Sequence, residues 1–306
     1  MPTTLQYRPV LIDTLISNER MSSYQSVFHS ANDMELMGVY LWNAHVSGLF
    51  YPLINVAEIT LRNAIDQVLE AELGSFWWAS VRLQHRSLTS ACAPFSVVQA
   101  VHNNFVKATR AYIADMRGRH HVRGRIKPSH AGIIAKTEFS TWEFLLNEAF
   151  MGRGLIWPKY LSSVFRGQWP VHKSHIVLLQ ARDLVRTLRE FRNRLFHHEP
   201  AWKRYGVSTE EDALAYLQEK IVKVERLQAL IHPESLRLLQ VNGLLRDVRR
   251  ATTAGEIRRF QKLAQIHTIS SMNTLTELVA RAESENGILQ AKINNGDQRP
   301  FLIQAD

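Results

Sequence analysis

Between residues 173 and 198 apolar side chains return at steps of three and four: Val177, Ala181, Leu184, Leu188, Phe191 and Leu195. At about 100° per residue they fall on one side of an α-helix, and so wide an apolar stripe must be buried against other elements. The same period governs most of the chain. Residues 33–72 read as two long apolar helices or one kinked helix, with Pro52 either opening the second or bending the first. Ile54, Ala57, Leu61, Ile65 and Val68 form the stripe of the second half. Helices are expected again at 95–116 and over 131–150, where Trp142, Leu145, Leu146, Ala149 and Phe150 share a face. Another should start at Ser208, where "STEE" has the capping-box form with Glu211 three residues on. Beyond about 235 the segments are shorter and more charged, giving weak helices and then a polar tail. No alternating run of convincing length marks a strand. The expectation is an all-α fold: a helical domain over 1–235 with a basic insertion near 117–130, and a helical extension with a polar tail over 236–306.

With 306 residues, 45% of them hydrophobic, the chain can bury a sizeable core. Its formal net charge of +9 favours partners rich in negative charge: nucleic acid, acidic protein or an anionic membrane surface. The single cysteine, Cys92, excludes an intramolecular disulfide and a cysteine-based zinc or iron–sulfur site, and fits a reducing compartment. The opening "MPTTLQYRPVLIDTL" lacks the basic patch and apolar run of a secretory signal. The most apolar stretch, "VSGLFYPLINVAEITL", is cut by Pro52, Asn55 and Glu58, and reads as core helix rather than a membrane span. A cytoplasmic protein without a membrane partner is therefore expected.

Two basic groups stand out. The segment "RGRHHVRGRIKPSH", residues 117–130, carries Arg117, Arg119, Arg123, Arg125 and Lys127 with no acid between them. It reads either as a solvated loop or as a phosphate-binding arm, since clustered cations release counterions on meeting a nucleic-acid backbone. On the helix at 173–198, Arg182, Arg186 and Arg189 lead at steps of four and three towards Asn193 and His197. The aromatic run "GSFWWAS" at 74–80 reads as a lid on the core in preference to a base-stacking platform.

The end of that helix, "FRNRLFHHEP", gathers Arg192, Asn193, His197, His198 and Glu199. A helix C-terminus carries negative dipole charge, which favours protonated histidine, and small shifts there move a histidine across neutral pH. Cleavage of RNA needs a base for the 2′-hydroxyl, an acid for the leaving 5′-oxygen and cationic groups for the phosphorane. Histidine and a bidentate arginine supply these without a metal or other cofactor. The competing reading is structural: histidines at a helix end can cap its carbonyls. Two adjacent histidines could bind zinc, yet no suitably spaced third ligand is visible, so no metal is expected. Earlier in the chain Glu58 and Arg62 stand at i and i+4, where they can pair.

Arg192-Asn193, three residues and His197 resemble the R-x4–6-H signature of the HEPN superfamily. The longer string "LREFRNRLFHHEPAW" resembles its Abi-like (abortive-infection) branch. "YLWNAHVSGLFYPLINVAEITLRNAI" resembles the opening block of that family, and "TEFSTWEFLLNEAF" with "LIWPKYLSSVF" its middle block, although Ser140 stands where glycine often follows the phenylalanine. The similarity covers about residues 20–235. It implies a HEPN-like helical bundle, usually dimeric, with two motifs facing each other in a composite site. It further implies metal-independent endoribonuclease activity in bacterial defence against phage. Carried over by position, Arg192 would contact the scissile phosphate, Asn193 would orient the site, and His197 would act as acid or base. His198 and Glu199 match the string as well, His198 among the catalytic candidates and Glu199 as a support. Glu58, Arg62 and Asn63 would support the site from behind; Arg62-Asn63 has no histidine at 67–69 and is not a second motif. The expected partners are substrate RNA, an inhibitory small RNA or antitoxin, and a second copy of the chain. The alternative is a non-catalytic module that docks a structured RNA, and a third reading is a protein-interaction subunit.

Overall fold

The computed structural model describes residues 7–80, 97–169, 171–294 and 299–304; Cys92 and the expected helix start at 95 lie outside the described residues. After a π-type segment, Tyr7–Ser17, the helices in chain order are α1 (Asn18–Phe28), α2 (Asp33–Leu73), α3 (Val97–Gly118), α4 (His130–Ile134), α5 (Phe139–Leu145) and α6 (Leu161–Val164). They continue as α7 (Ser174–Phe196), α8 (Glu210–Ile231), α9 (Pro233–Val241), α10 (Leu244–Ala251) and α11 (Ala254–Gln261). The chain closes with β1 (Ile266–Ile269), α12 (Met272–Ser284), β2 (Ile288–Ile293) and β3 (Phe301–Gln304). The molecule is mostly helical. No described helix is long and apolar enough to cross a membrane.

Two compact units make up the chain. One comprises Met1–Leu53, Arg194–Val222 and Leu239–Asp306; the other comprises Ile54–Asn193 and Lys223–Leu238. In the second unit the stripe Ile54, Ala57, Leu61, Ile65 and Val68 is buried, as are Val177, Ala181, Leu188 and Phe191 of α7. Val185, rather than Leu184, completes that face. The aromatic lid is realised there too: Trp77 and Trp78 are buried, and Trp78 stacks on Phe105 with centroids 4.4 Å apart. The helix expected over 131–150 is instead α4, α5 and a 3₁₀ turn at Glu148–Phe150. The break falls where Thr137 Oγ1 bonds back to the Ile134 carbonyl and accepts from Trp142 Nε1, a local competitor to the helical ladder.

α2 stays continuous through Pro52, so of the two expected arrangements the single helix holds and the proline does not open a second. The capping box before α8 lies one residue beyond its expected place. Asp212 N donates to Thr209 Oγ1 at 3.1 Å, and Asp212 Oδ2 accepts from the backbone of Ser208 and Thr209. The shorter aspartate reaches both N–H groups, and these bonds hold its carboxyl below the usual range.

The C-terminal region departs most from expectation. The short, charged helices expected beyond about 235 are α9, α10 and α11; where a polar tail was expected, β1, α12, β2 and β3 follow, and the strands form a three-stranded sheet of order β1-β2-β3. β1 and β2 are parallel, joined through α12, and β2 and β3 are antiparallel. Their small core is Ile269, Leu278, Ala282, Ala291 and Ile303. Only one residue in each strand is fully buried, so no alternation is written in the sequence.

Candidate functional site

The last turn of α7 is where the sequence concentrated its chemistry. The amphipathic stripe anchors it: Phe191 and Leu195 are 1% and 8% exposed, which leaves the intervening polar residues facing outward. Arg192 and Asn193 belong to the second unit, and His197, His198 and Glu199 to the first.

Within the second unit the structure brings Arg192 to Glu58, with Nε 3.9 Å from the carboxylate, and Arg192 Nη1 donates to Asn193 Oδ1 at 3.5 Å. Glu58 is mostly buried. Burial pushes its carboxyl upward, and the Arg192 and Arg62 guanidinium groups pull it back in part. The expected Glu58–Arg62 pair is not the closest one: Arg62 Nε donates to Asn63 Oδ1 at 3.4 Å, and Glu58 finds Arg192. Asn63 is exposed beside a hollow of about 280 Å³ that also meets Arg166 and His232.

Within the first unit the string "HHEP" has a definite conformational role. His198 N donates to the Leu195 carbonyl (3.1 Å) and Glu199 N to the Arg194 carbonyl (3.0 Å). These two bonds satisfy carbonyls that a helix end leaves open, and they require the residue between cap and exit to be left-handed. That residue is His198, at φ 55°. Arg20 Nη1 donates to the His198 carbonyl at 2.7 Å, and Arg194 pairs with Glu199 at 3.2 Å. Pro200 then prevents the helix from resuming. His198 therefore shapes the turn through its backbone. The His197 imidazole is exposed and meets no polar partner among the described residues. A hollow of about 740 Å³ adjoins this turn, lined by Arg20, Tyr40, Tyr51, Phe196, His198 and Glu199.

This separates the two histidines experimentally. The left-handed backbone costs an L-residue about 1–2 kcal/mol that glycine avoids. His198→Gly is therefore expected to unfold in urea within about 1 kcal/mol of the parent, so that any loss of activity in it reports the imidazole. A drop of several kcal/mol would mean that the His198 side chain itself holds the turn.

The two arginine groups fare differently. Arg189 turns inward to the buried carboxylate of Glu143, and Arg186 pairs with Asp183 at 2.9 Å. Arg182 is half-buried. The α7 stripe is thus largely neutralised by its own protein. Arg117, Arg119, Arg123, Arg125 and Lys127 are all exposed, and among the described residues only Arg119 has a carboxylate partner, Asp115 at 3.0 Å.

Sequence reasoning missed one cluster. Asp66, Glu70 and His130 place ligand atoms within 4.8 Å of one another. Phe76 N donates to His130 Nδ1 at 2.9 Å, so the ring proton sits on Nε2, which donates to Asp66 at 3.0 Å. Trp77 Nε1 donates to the same carboxylate at 2.8 Å. With Nε2 protonated there is no lone pair for a metal, and the cluster clamps the aromatic lid. Asp66 and Glu70 stand one turn apart on α2, but His130 lies 64 residues beyond Asp66, so no local pattern announces the cluster.

Compared with protein-family models, with curated proteins and with solved structures, the chain finds no match.

Proposed function

We propose that the chain is a metal-independent endoribonuclease of the Abi-like HEPN type, an effector of bacterial anti-phage defence. The observation that supports this best is the composition of one helix end: Arg192 and Asn193 joined side by side against half-buried Glu58, then an exposed His197. Arg192 would hold a non-bridging oxygen of the scissile phosphate, with Glu58 behind it and Asn193 beside it. His197 would take the proton of the 2′-hydroxyl as its oxygen attacks phosphorus, or deliver one to the departing 5′-oxygen. The new 2′-oxygen–phosphorus bond replaces the bond to the 5′-oxygen, leaving a 2′,3′-cyclic phosphate and a 5′-hydroxyl. One His197 serves one of these two transfers, which makes a second copy of the motif, from a homodimer, the natural source of the other.

The test is incubation of the purified chain with total cellular RNA in EDTA. The parent is expected to cut and to leave cyclic phosphate ends, and His197→Ala to lose about 10²–10⁴-fold in rate. Equal cutting by His197→Ala, or cutting that EDTA abolishes, overturns the assignment. The exposed cations of residues 117–127, of which only Arg119 meets a carboxylate among the described residues, favour a second reading, a non-cleaving module that docks a structured or inhibitory RNA. It predicts RNA binding with no cleavage in either protein.

A further inference from the structure

Seen on the folded chain, the basic loop is the end of a longer feature. Between residues 97 and 137 the only acid is Asp115. That carboxylate is occupied at the loop's root by Lys136 at 2.8 Å and Arg119 at 3.0 Å, which hold it below the usual carboxylate range. α3 buries Ala100, Val101, Asn104, Phe105 and Ala108. Lys107, Arg110 and Arg117 are exposed within an arc of about 80° at 100° per residue, which starts with Lys107 at the border of the buried face and runs away from it. The helix then passes directly into Arg123, Arg125 and Lys127, exposed as well. None of these six cations has an ion-pair partner among the described residues.

We infer that the outer face of α3 and the loop after it form one continuous track for the phosphate backbone of a nucleic acid, separate from the motif at the end of α7. From Lys107 to Arg117 the helix rises about 15 Å, and a duplex carries about nine phosphate charges over that length. The composition of the face selects this partner over an acidic protein. Protein interfaces are centred on aromatic or large aliphatic anchors, and between the cations this face offers Ala111 and Ala114; Val122 is the exposed large aliphatic residue of the loop. Long-stemmed cations without apolar anchors suit a ligand read by charge and spacing, independent of base sequence. Of the arginines on the outer stripe of α7, Arg189 is held inward by Glu143 and Arg186 is paired with Asp183, so that stripe offers fewer open cations than this face. That the nucleic acid is RNA rests on the nuclease reading.

The experiment uses full-length His197→Ala protein and a labelled RNA hairpin with a 20-base-pair stem, with a DNA duplex of equal length in parallel. Binding is thereby read without cleavage, and its outcome stands apart from that of the nuclease assay. In that background Lys107→Gln, Arg110→Gln and Arg117→Gln are combined, glutamine keeping good helix propensity. The slope of log Kd against log salt is expected to fall by about 2–3, close to 0.7–0.9 per cation removed, and the loop triple Arg123→Gln, Arg125→Gln, Lys127→Gln should lose as much again. Unchanged slopes in both triples overturn the track, whatever affinity remains. Should a triple lose helical circular dichroism, Arg110→Gln alone decides, with an expected fall of about 0.7–0.9 and rejection if the slope stays at the parent value.

Discussion

Arg189→Met is expected to lower stability by about 3 kcal/mol, although the sequence places this arginine on an outward stripe. Glu143 is 3% exposed, and Arg189 is its ion-pair partner. Removing the guanidinium leaves a carboxylate in the core with its desolvation uncompensated, and breaking a buried pair costs about 3–5 kcal/mol. The lower end applies because the Arg189 side chain is 24% exposed, so water softens the loss. Replacing both partners, Arg189→Met with Glu143→Leu, should return most of the stability, since the charge that needs compensation is then absent. Urea unfolding of the four proteins at neutral pH measures this cycle. A single variant within about 0.5 kcal/mol of the parent would show that Glu143 does not depend on Arg189.

Gly167→Ala is the second large effect. The last carbonyls of α8 are capped by a distant backbone: Arg166 N donates to Ile231 O at 2.9 Å and Gly167 N to Leu230 O at 3.0 Å. So close an approach leaves no room for a side chain, and a Cβ on Gly167 would lie 1.7 Å from the Ala229 carbonyl oxygen. The backbone must move apart and surrender both caps, for a loss of about 3 kcal/mol or more. Gly48→Ala is the control. A Cβ there meets nothing within 4 Å, and inside α2 alanine should stabilise by about 0.5–1 kcal/mol. Thermal melts of the two variants should shift in opposite directions; equal shifts would refute the close-approach argument.

These two residues mark the boundary of what the chain discloses before it folds. The wheel of α7 correctly separates Val177, Ala181, Leu188 and Phe191 from the polar side, because burial of a helix face is written at steps of three and four. The same wheel treats Arg189 and Arg186 alike, since it carries no information about which acid a neighbouring element will present. The capping box missed by one residue because Ser208-x-x-Glu211 and Thr209-x-x-Asp212 overlap, and the choice depends on side-chain reach. At the motif, the polar cluster and its position at a helix end were legible. The left-handed backbone of His198 and the pairing of Arg192 with Glu58 were not, being settled by the cap and by packing from 134 residues away in the chain.

By itself, then, the sequence determines the helical class of most of the chain, the apolar faces of its long helices, and a concentration of arginine, asparagine, histidine and glutamate at residues 191–200, side-chain types able to bind phosphate or move protons. All of these are local properties, set by the helical period and by which residue types can end a helix. The tertiary structure decided which arginines are used up internally, where a glycine is indispensable, that His130 belongs to a clamp, and that β1, β2 and β3 pair into a sheet. β1 reaches β2 across more than twenty residues, and each strand buries a single side chain, so the pairing energy that selects strand over helix exists only once the partners meet.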